Sequence, residues 1–264
     1  MALGFNRTFK LALSILSTAL QAYEAKPGLS DLSLAEAMGV GGEKGIGYSR
    51  WLLACGLRGS KPRKLTGLGA LLVSEDQHLR DPGTKVVLHY QLSSNQYSEV
   101  WWFLIDYIAQ HREIEARQAV EQLLRTGIGT NNRKHLLTDV RLFFDAYLDS
   151  DCFGSLQTIV EVDADRFIAR SPSYLPSLIL GYALYTRWEA GLQASTISIN
   201  NVLTESGQAG KVFFLDRPQL LEKLRELEFQ GIIKVSRIAD LDNVAYTFDG
   251  TALDILKMYY QGRG

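Results

Sequence analysis

The sequence predicts a mainly α-helical protein with small β-hairpins, an α+β fold built from tandem winged-helix or helix-turn-helix modules. Apolar residues recur with helical spacing through most of the 264 residues. One helix-turn-helix pattern lies near the start of the chain and a second near its middle, and a strand pair followed by a helix lies near its end. A hydrophobic content of 46% is sufficient to form real cores.

The same patterns divide the chain into three segments. We expect residues 1–81 to form an N-terminal winged-helix domain. Residues 82–165 are predicted to form a helical domain with a second helix-turn-helix and an acidic stretch. Residues 166–264 are predicted to form a C-terminal winged-helix-like domain.

The first segment contains the clearest helix-turn-helix pattern. A leading helix is indicated by the apolar residues Phe9, Leu13, Leu16, Leu20 and Tyr23. We expect Ser33 to cap a short helix whose inward residues are Leu34, Ala37 and Met38. After a turn at Gly39–Gly41, a second helix presents an inward stripe of Tyr48, Trp51, Leu52 and Cys55.

Positive charge is concentrated on the second helix and on the loop after it. Lys44, Gly47 and Arg50 are predicted to face outward, and the small Gly47 would admit a phosphate backbone. A basic wing is predicted between Leu57 and Leu65. Between Gly42 and Lys64 there are six Lys or Arg residues and one acid. The candidate DNA contacts are Lys44, Arg50, Lys61, Arg63 and Lys64; the alternative is a solvated surface on a module that binds protein or dimerises.

The second segment is predicted to be helical. Four helices are indicated by the runs DPGTKVVLHYQLSS, SEVWWFLIDYIAQH, EARQAVEQLLRTG and NNRKHLLTDVRLFFDAYL. The last two form a second helix-turn-helix candidate, whose inward residues are Leu136, Val140, Phe143 and Tyr147. Its candidate DNA contacts are Arg133, Lys134 and Arg141. A helical hairpin that joins two domains is the alternative.

An acidic stretch follows this pair of helices. The net charge of −1 conceals a run from Phe143 to Asp165 with six acids and no Lys or Arg, so any nucleic-acid surface must be local. A divalent metal could be gathered by Asp145, Asp149 and Asp151 or by Glu161 and Asp163. Neither group is followed by the lysine expected of the restriction-type nuclease core. The sequence therefore assigns neither a metal ligand nor a catalytic residue.

The third segment alternates helices and strands. We expect a helix opened by Pro176, a strand at VFFL, a helix capped by Asp216, a hairpin of IIKV and VAYTF, and a closing helix TALDILKMYY. The charge of this segment is nearly balanced, which favours a structural or oligomeric role.

Other signatures are absent or incomplete. The four histidines are far apart in sequence, and the two cysteines form neither a disulfide framework nor a metal pair. The string from Gly207 to Val212 imitates the end of a phosphate-binding loop, but Val212 replaces the hydroxyl residue that loop requires. With no signal peptide and no membrane span in the sequence, we expect a cytoplasmic protein.

Several short motifs occur together in a consistent order. They are the opening Thr8-Phe9, the GVG turn followed by Trp51, LTGLG, LRDP leading into LHYQLSSN, DVRLFF, PSYLP and GKVFFLD. By these motifs the chain resembles the SspB-like family of bacterial DNA phosphorothioation (Ssp) systems, whose members are encoded beside PAPS-reductase-like enzymes.

The resemblance implies a double-stranded DNA-binding component of phosphorothioate modification and phage defence. Such a protein would nick DNA so that sulfur can enter the backbone. The implied partners are a cysteine desulfurase and a PAPS-reductase-like sulfur transferase, and the paired modules are compatible with a homodimer. The alternative is a non-enzymatic winged-helix adaptor or transcriptional regulator.

Overall fold

Helices make up most of the described part of this protein, which also contains two small antiparallel sheets. The predicted α+β class with a helical majority is confirmed. The structure, a computed structural model, describes residues 9–94, 96–128, 132–191, 194–238 and 241–262. Thr8 of the first motif lies outside these residues.

The bounds of the elements are as follows. The described helices are α1 Leu13–Ala25, α2 Asp31–Ala37, α3 Gly42–Ala54, α4 Gly67–Asp76, α5 Pro82–Ser94, α6 Glu99–His111, α7 Ala116–Thr126, α8 Arg133–Leu148, α9 Ser177–Glu189, α10 Ile199–Thr204, α11 Ala209–Val212, α12 Arg217–Phe229 and α13 Ala252–Gln261. The described strands are β1 Glu113–Glu115, β2 Ile159–Asp163, β3 Arg166–Ala169, β4 Thr196–Ser198, β5 Ile233–Ile238 and β6 Leu241–Tyr246.

The start of α2 differs from the prediction. Ser30 is the N-cap, and its hydroxyl accepts the backbone N–H of Ser33 at 3.1 Å. The prediction that Ser33 caps this helix is wrong, because the N-cap lies three residues earlier in the sequence than expected. The inward residues shift accordingly, so that Leu34 and Ala35 are buried while Ala37 is exposed.

Helix α3 is buried over a wide arc. Its predicted inward stripe of Tyr48, Trp51, Leu52 and Cys55 is confirmed. The indole N–H of Trp51 donates to the carbonyl of Phe9 at 3.1 Å. Its ring meets that of Trp101 from α6 edge to face, with centroids 5.7 Å apart. Gly47 is buried too, so its predicted exposure to a phosphate backbone is wrong.

The middle of the chain contains the four predicted helices, α5 to α8. A sheet of strand order β1-β3-β2 accompanies them, and all its pairs are antiparallel. Along the chain the order is α6, β1, α7, α8 and then the β2–β3 hairpin. Strand β1 was not predicted, because three residues are too few for an alternating pattern to be recognised.

The last part of the chain repeats this connectivity. Here α9, β4, α10, the short α11 and α12 precede the β5–β6 hairpin, and the strand order β4-β6-β5 is again first, third, second. Asp216 is the N-cap of α12, as predicted. It forms a capping box with Gln219, which was not predicted from the sequence. The hairpin and the closing helix α13 are also confirmed.

The predicted strand at VFFL is wrong. Val212 ends α11, and the following turn buries Phe213, Phe214 and Leu215. The apolar, β-prone composition of this run reflects its burial against α5, α6 and α9 rather than a strand.

A line of buried polar groups joins distant elements. The indole N–H of Trp101 donates to the hydroxyl of Tyr147 at 3.1 Å, and this hydroxyl lies 2.7 Å from Nδ1 of His89. Nε2 of His89 faces the carbonyl of Val212 at 3.1 Å. Because a carbonyl can only accept, the proton of the neutral ring lies on Nε2, and Tyr147 donates to Nδ1. The line thus ties α5, α6, α8 and α11 together.

Hydrogen bonds also cross the predicted segment boundaries. Tyr259 on α13 donates to Asp81 at 2.9 Å, and the β2–β3 hairpin spans the boundary placed after residue 165. The division into three domains stays a prediction. Within the described residues, no helix combines the length and the apolar content needed to cross a membrane.

Candidate nucleic-acid interface

The basic loop, residues 58–65, connects α3 to α4. Its two ends meet in one antiparallel bridge between Arg58 and Leu65, one residue from the predicted pairing of Leu57 with Leu65. The N–H of Gly59 donates to the carbonyl of Lys64 at 2.9 Å. The N–H of Thr66 donates to the carbonyl of Leu57 at 3.0 Å. The loop is therefore closed by its own backbone.

Arg58 anchors the loop from inside. Its side chain is buried, and its Nη2 donates to the carbonyl of Ser49 at 2.9 Å and to the Ser49 hydroxyl at 3.1 Å. The guanidinium carbon lies 5.7 Å from the ring centroid of Tyr23, a cation–π distance. Burial lowers the pKa of Arg58. This cation stabilises the loop and is not accessible to a ligand.

The other three cations of the loop differ in their partners. Arg63 Nη1 lies 2.7 Å from Oδ1 of Asp31, at the start of α2. The same carboxylate oxygen accepts the hydroxyl of Ser49 at 2.7 Å. Lys61 and Lys64 are exposed, and neither forms an ion pair with the described residues. The loop thus presents two uncompensated ammonium groups on a fixed backbone.

On α3, the predicted contacts are less accessible than those of the loop. Lys44 and Arg50 are half-buried, since α1 and α2 cover much of this helix. Their role in binding DNA stays a prediction.

Helix α8 carries the second group of predicted contacts. Its inward residues Leu136, Val140, Phe143 and Tyr147 are buried, as predicted. Arg133, Lys134 and Arg141 are exposed. Arg133 is held by Glu121 of α7 at 2.5 Å, whereas Lys134 and Arg141 form no ion pair with the described residues. The side chain of Asn132 caps the helix by accepting the N–H of Lys134 at 3.0 Å.

The acidic residues after α8 are engaged by other groups. Asp149 lies 2.7 Å from Nζ of Lys10 and accepts the N–H of Asp151 at 2.9 Å. The hydrogen bond from Lys10 lowers the pKa of Asp149. Asp151 in turn accepts both the N–H and the hydroxyl of Ser14, at 3.1 and 2.5 Å. These carboxylates fasten the segment after α8 to the start of α1.

The second acidic pair is also engaged in part. Asp163 forms an ion pair with Arg166, which also lies 3.1 Å from Glu113. Glu161 is exposed on the same strand. Across the described ranges, no group of three or more His, Cys, Asp or Glu side chains is arranged to hold a metal ion.

The family is decided by a match that spans nearly the whole chain. Residues 6–260 match the family described as Protein of unknown function (DUF4007). The chain belongs to this family. No curated protein matches the sequence.

The fold of this DUF4007 protein is that of SspB. It superposes on a crystal structure of magnesium ion-bound SspB with a TM-score of 0.82, and on a second SspB crystal structure with a TM-score of 0.77. In both cases the identity is 17%, with 98% of this chain and 88% of that chain covered. The resemblance found in the sequence motifs is confirmed.

Lys211 belongs to the string that imitates the end of a phosphate-binding loop, and in this DUF4007 protein it has a structural role. Nζ of Lys211 lies 2.5 Å from Oδ1 of Asp106, and the side chain is only 8% exposed. Lys211 lies in the short helix α11, which leads into the buried turn and not into a strand as expected. The position cannot reach a ligand.

Sequence reasoning missed the residues that hold the basic loop. Asp31 lies 32 positions before its partner Arg63, and Ser49 lies 9 positions before its partner Arg58. Nothing in the local pattern of either residue indicates these contacts. Only the serine and aspartate composition near a predicted helix start could have suggested a polar anchor there.

Proposed function

We propose that this protein binds double-stranded DNA as a component of bacterial DNA phosphorothioate modification and phage defence. We further propose that it nicks the DNA so that sulfur can be incorporated into the backbone. The SspB fold supports the assignment to this system. The observation that carries DNA binding is the pair of uncompensated lysines, Lys61 and Lys64, on a loop closed by its own hydrogen bonds.

The physical reason is counterion release. Each ammonium group that meets a phosphate displaces a condensed cation from the duplex, so affinity falls as salt rises. Arg63 contributes less than a free cation would, because Asp31 already compensates its charge. The proposed partners remain a cysteine desulfurase and a PAPS-reductase-like sulfur transferase, with a homodimer as the proposed assembly.

The middle and last units support the proposal of winged-helix modules. Each has the order helix, strand, two or more helices and hairpin, with the first strand added beside the last. In the middle unit, α8 would then be the helix that enters the major groove, with Lys134 and Arg141 on its exposed face. Its hairpin carries the exposed Glu161, whose charge repels phosphate, and Asp163, whose charge Arg166 compensates, so α8 is the proposed contact.

No residue of this chain is assigned to the nicking step. One of the similar structures is a magnesium ion-bound SspB. The described acids of this chain do not form a group that fits such an ion, since Asp149, Asp151 and Asp163 are engaged elsewhere. The same engagement favours the second candidate function, a DNA-binding adaptor without catalytic activity that delivers the sulfur transferase or represses transcription.

A plasmid assay separates the two. Purified protein is incubated with supercoiled plasmid in magnesium, in manganese and in EDTA, beside the Lys61→Ala/Lys64→Ala variant. Open circles that form with the wild type and decrease with the variant support nicking. If the plasmid stays supercoiled in every condition and only its mobility is shifted by bound protein, the result supports the adaptor. Absence of both nicking and binding contradicts the proposal.

A further inference from the structure

A polar cleft lies along one side of α1. It has a volume of about 520 Å³ and is bounded by α1, the loop from α4 to α5 and the segment after α8. This volume lies in the range of pockets that hold small molecules, and it is large enough for a nucleotide. The loop from α4 to α5 includes the LRDP motif, to which the proposed DNA contacts give no role.

Two cations line this cleft without a carboxylate partner. Arg80 is exposed, and its guanidinium has no hydrogen bond or ion pair with the described part of the chain. Lys85 is half-buried, and its Nζ donates only to neutral oxygens, the Ser150 carbonyl at 3.2 Å and the Ser155 hydroxyl at 3.1 Å. His78 also lines the cleft.

Among the described residues that line the cleft, the two cations outnumber the one carboxylate, that of Asp151. The nearby Asp149 is already paired with Lys10, whose hydrogen bond lowers its pKa, and Lys85 lowers that pKa as well. Asp76 accepts the backbone N–H groups of Arg80 and Asp81 at 3.1 and 2.8 Å. Asp151, which lines the cleft, accepts the N–H and hydroxyl of Ser14. The cleft therefore combines excess positive charge with hydroxyl groups, including those of Ser14 and Thr18.

The loop that carries Arg80 is fixed before any ligand arrives. The carbonyl of Gln77 accepts the Ser17 hydroxyl at 2.8 Å and the Gln21 amide at 3.1 Å. Both donors lie on α1. Leu79 adopts a left-handed backbone at φ 53° while its side chain is buried. Because the backbone of this loop is already fixed, only the side chain of Arg80 has to lose conformational freedom when it binds an anion.

We propose that this cleft binds a phosphate monoester, with Arg80 and Lys85 as its charge-bearing contacts. A guanidinium suits the planar, two-point recognition of phosphate oxygens, and an ammonium beside it adds a point charge. The volume beyond the phosphate accommodates a nucleoside. The ligand is either a free mononucleotide or the terminal phosphate of a nucleic-acid strand, because both present the same group.

Calorimetric titration of the full chain tests the proposal. The ligands are deoxyadenosine 5′-monophosphate, deoxyadenosine, and a short single strand with and without a 5′-phosphate. The variants are Arg80→Gln and Lys85→Gln, with Arg170→Gln as the matched control, since Arg170 is an exposed cation outside the cleft. Circular dichroism and melting temperature establish that each variant is folded.

We expect the monophosphate to bind and deoxyadenosine to bind at least tenfold more weakly. Each cleft variant should weaken the monophosphate about tenfold, the usual effect of losing one charge-assisted hydrogen bond, and Arg170→Gln should not. A preference for the phosphorylated strand over the mononucleotide identifies a strand end as the source; the reverse identifies a free nucleotide. The proposal is overturned if neither phosphorylated ligand binds at millimolar concentration, or if Arg80→Gln binds as the wild type does. The mononucleotide has no phosphodiester backbone, so its binding and the effect of the cleft variants on it are measured apart from strand binding by the basic loop.

Discussion

Nη1 of Arg63 lies 2.7 Å from Oδ1 of Asp31, so one of the three outer cations of the basic loop is held by the protein itself. Lys61 and Lys64 are not held in this way by the described residues. The three residues, equivalent by sequence, therefore differ in how much charge they can offer to DNA.

The basic loop should account for part of the salt dependence of DNA binding. Lys61→Ala/Lys64→Ala should reduce the slope of log affinity against log salt by about two phosphate contacts, near 0.9 each. Arg63→Ala should change the slope less, because its charge is already compensated. Fluorescence anisotropy at several salt concentrations measures the slope. Lys257→Ala, which removes an exposed lysine paired with Asp254 at 2.9 Å, is the control. A slope equal to the wild type in the double variant would show that the loop faces away from DNA.

Neighbouring positions of α3 should separate binding from folding. Trp51 is 1% exposed, and Trp51→Ala should lower the free energy of unfolding by roughly 3 to 5 kcal/mol, as for other large core truncations. Arg50→Ala should weaken DNA binding while the protein stays folded. Urea unfolding and anisotropy measure the two effects. A stable Trp51→Ala protein beside an unfolded Arg50→Ala protein would show that the buried and DNA-binding faces of α3 have been assigned the wrong way round.

The approach of α2 to α3 depends on Gly45. A Cβ added there would lie well inside contact distance of the Ala35 Cβ. Gly45→Ala should therefore cost about 1 to 3 kcal/mol of stability through overpacking. Gly42→Ala in the same helix meets only a methyl of the exposed Leu32, at 3.3 Å, and should be nearly neutral. Equal melting temperatures for the two variants would contradict the close packing.

The free energy of unfolding should decrease as the pH is lowered from about 6.5 to 4. Burial lowers the pKa of His89 from 6.5 to about 4. The unfolded chain therefore takes up this proton first as pH falls, so stability decreases between about pH 6.5 and 4, by roughly 3 kcal/mol. Urea unfolding across this range measures the loss.

Two substitutions assign that pH dependence. His89→Gln should be less stable at neutral pH but should show a flatter dependence between pH 6.5 and 4. His135→Gln, at an exposed position, should retain the wild-type dependence. If His89→Gln kept the full dependence, other groups would be responsible.

The acidic clusters should matter more for structure than for nicking. Asp149→Ala/Asp151→Ala removes the contacts to Lys10 and Ser14, and should lower the melting temperature. Glu161→Ala should leave it unchanged. We expect both proteins, once folded, to nick plasmid as the wild type does. Loss of nicking with retained binding would instead place a metal-dependent site at the affected cluster.

Local pattern predicted the long elements well. The helices α5 to α8 and α12 to α13 have strong apolar periodicity or an explicit cap. These two signals are local, so they predict a helix without knowledge of its tertiary contacts. Short elements were not predictable in this way. The three-residue strands β1 and β4 exist because a longer neighbour provides their hydrogen bonds, and VFFL became a turn because several helices bury it.

The candidate interface was predictable only at the level of charge. The sequence identified the cations of the basic loop, but not that Arg58 points inward or that Asp31 holds Arg63. These distinctions depend on contacts between distant residues. Gly47 shows the same limit, since one inward stripe was assumed where α3 is covered over a wider arc.

The buried line from Trp101 through Tyr147 and His89 to Val212 has a geometric consequence. Trp101 also packs against Trp51 of α3, the helix before the basic loop, so this line and that ring contact together connect the support of the loop to α8. If both surfaces bind one duplex, the distance between them selects positions at which the grooves of the duplex recur with the same spacing. A duplex whose grooves do not have that spacing would have to bend or twist to meet both surfaces.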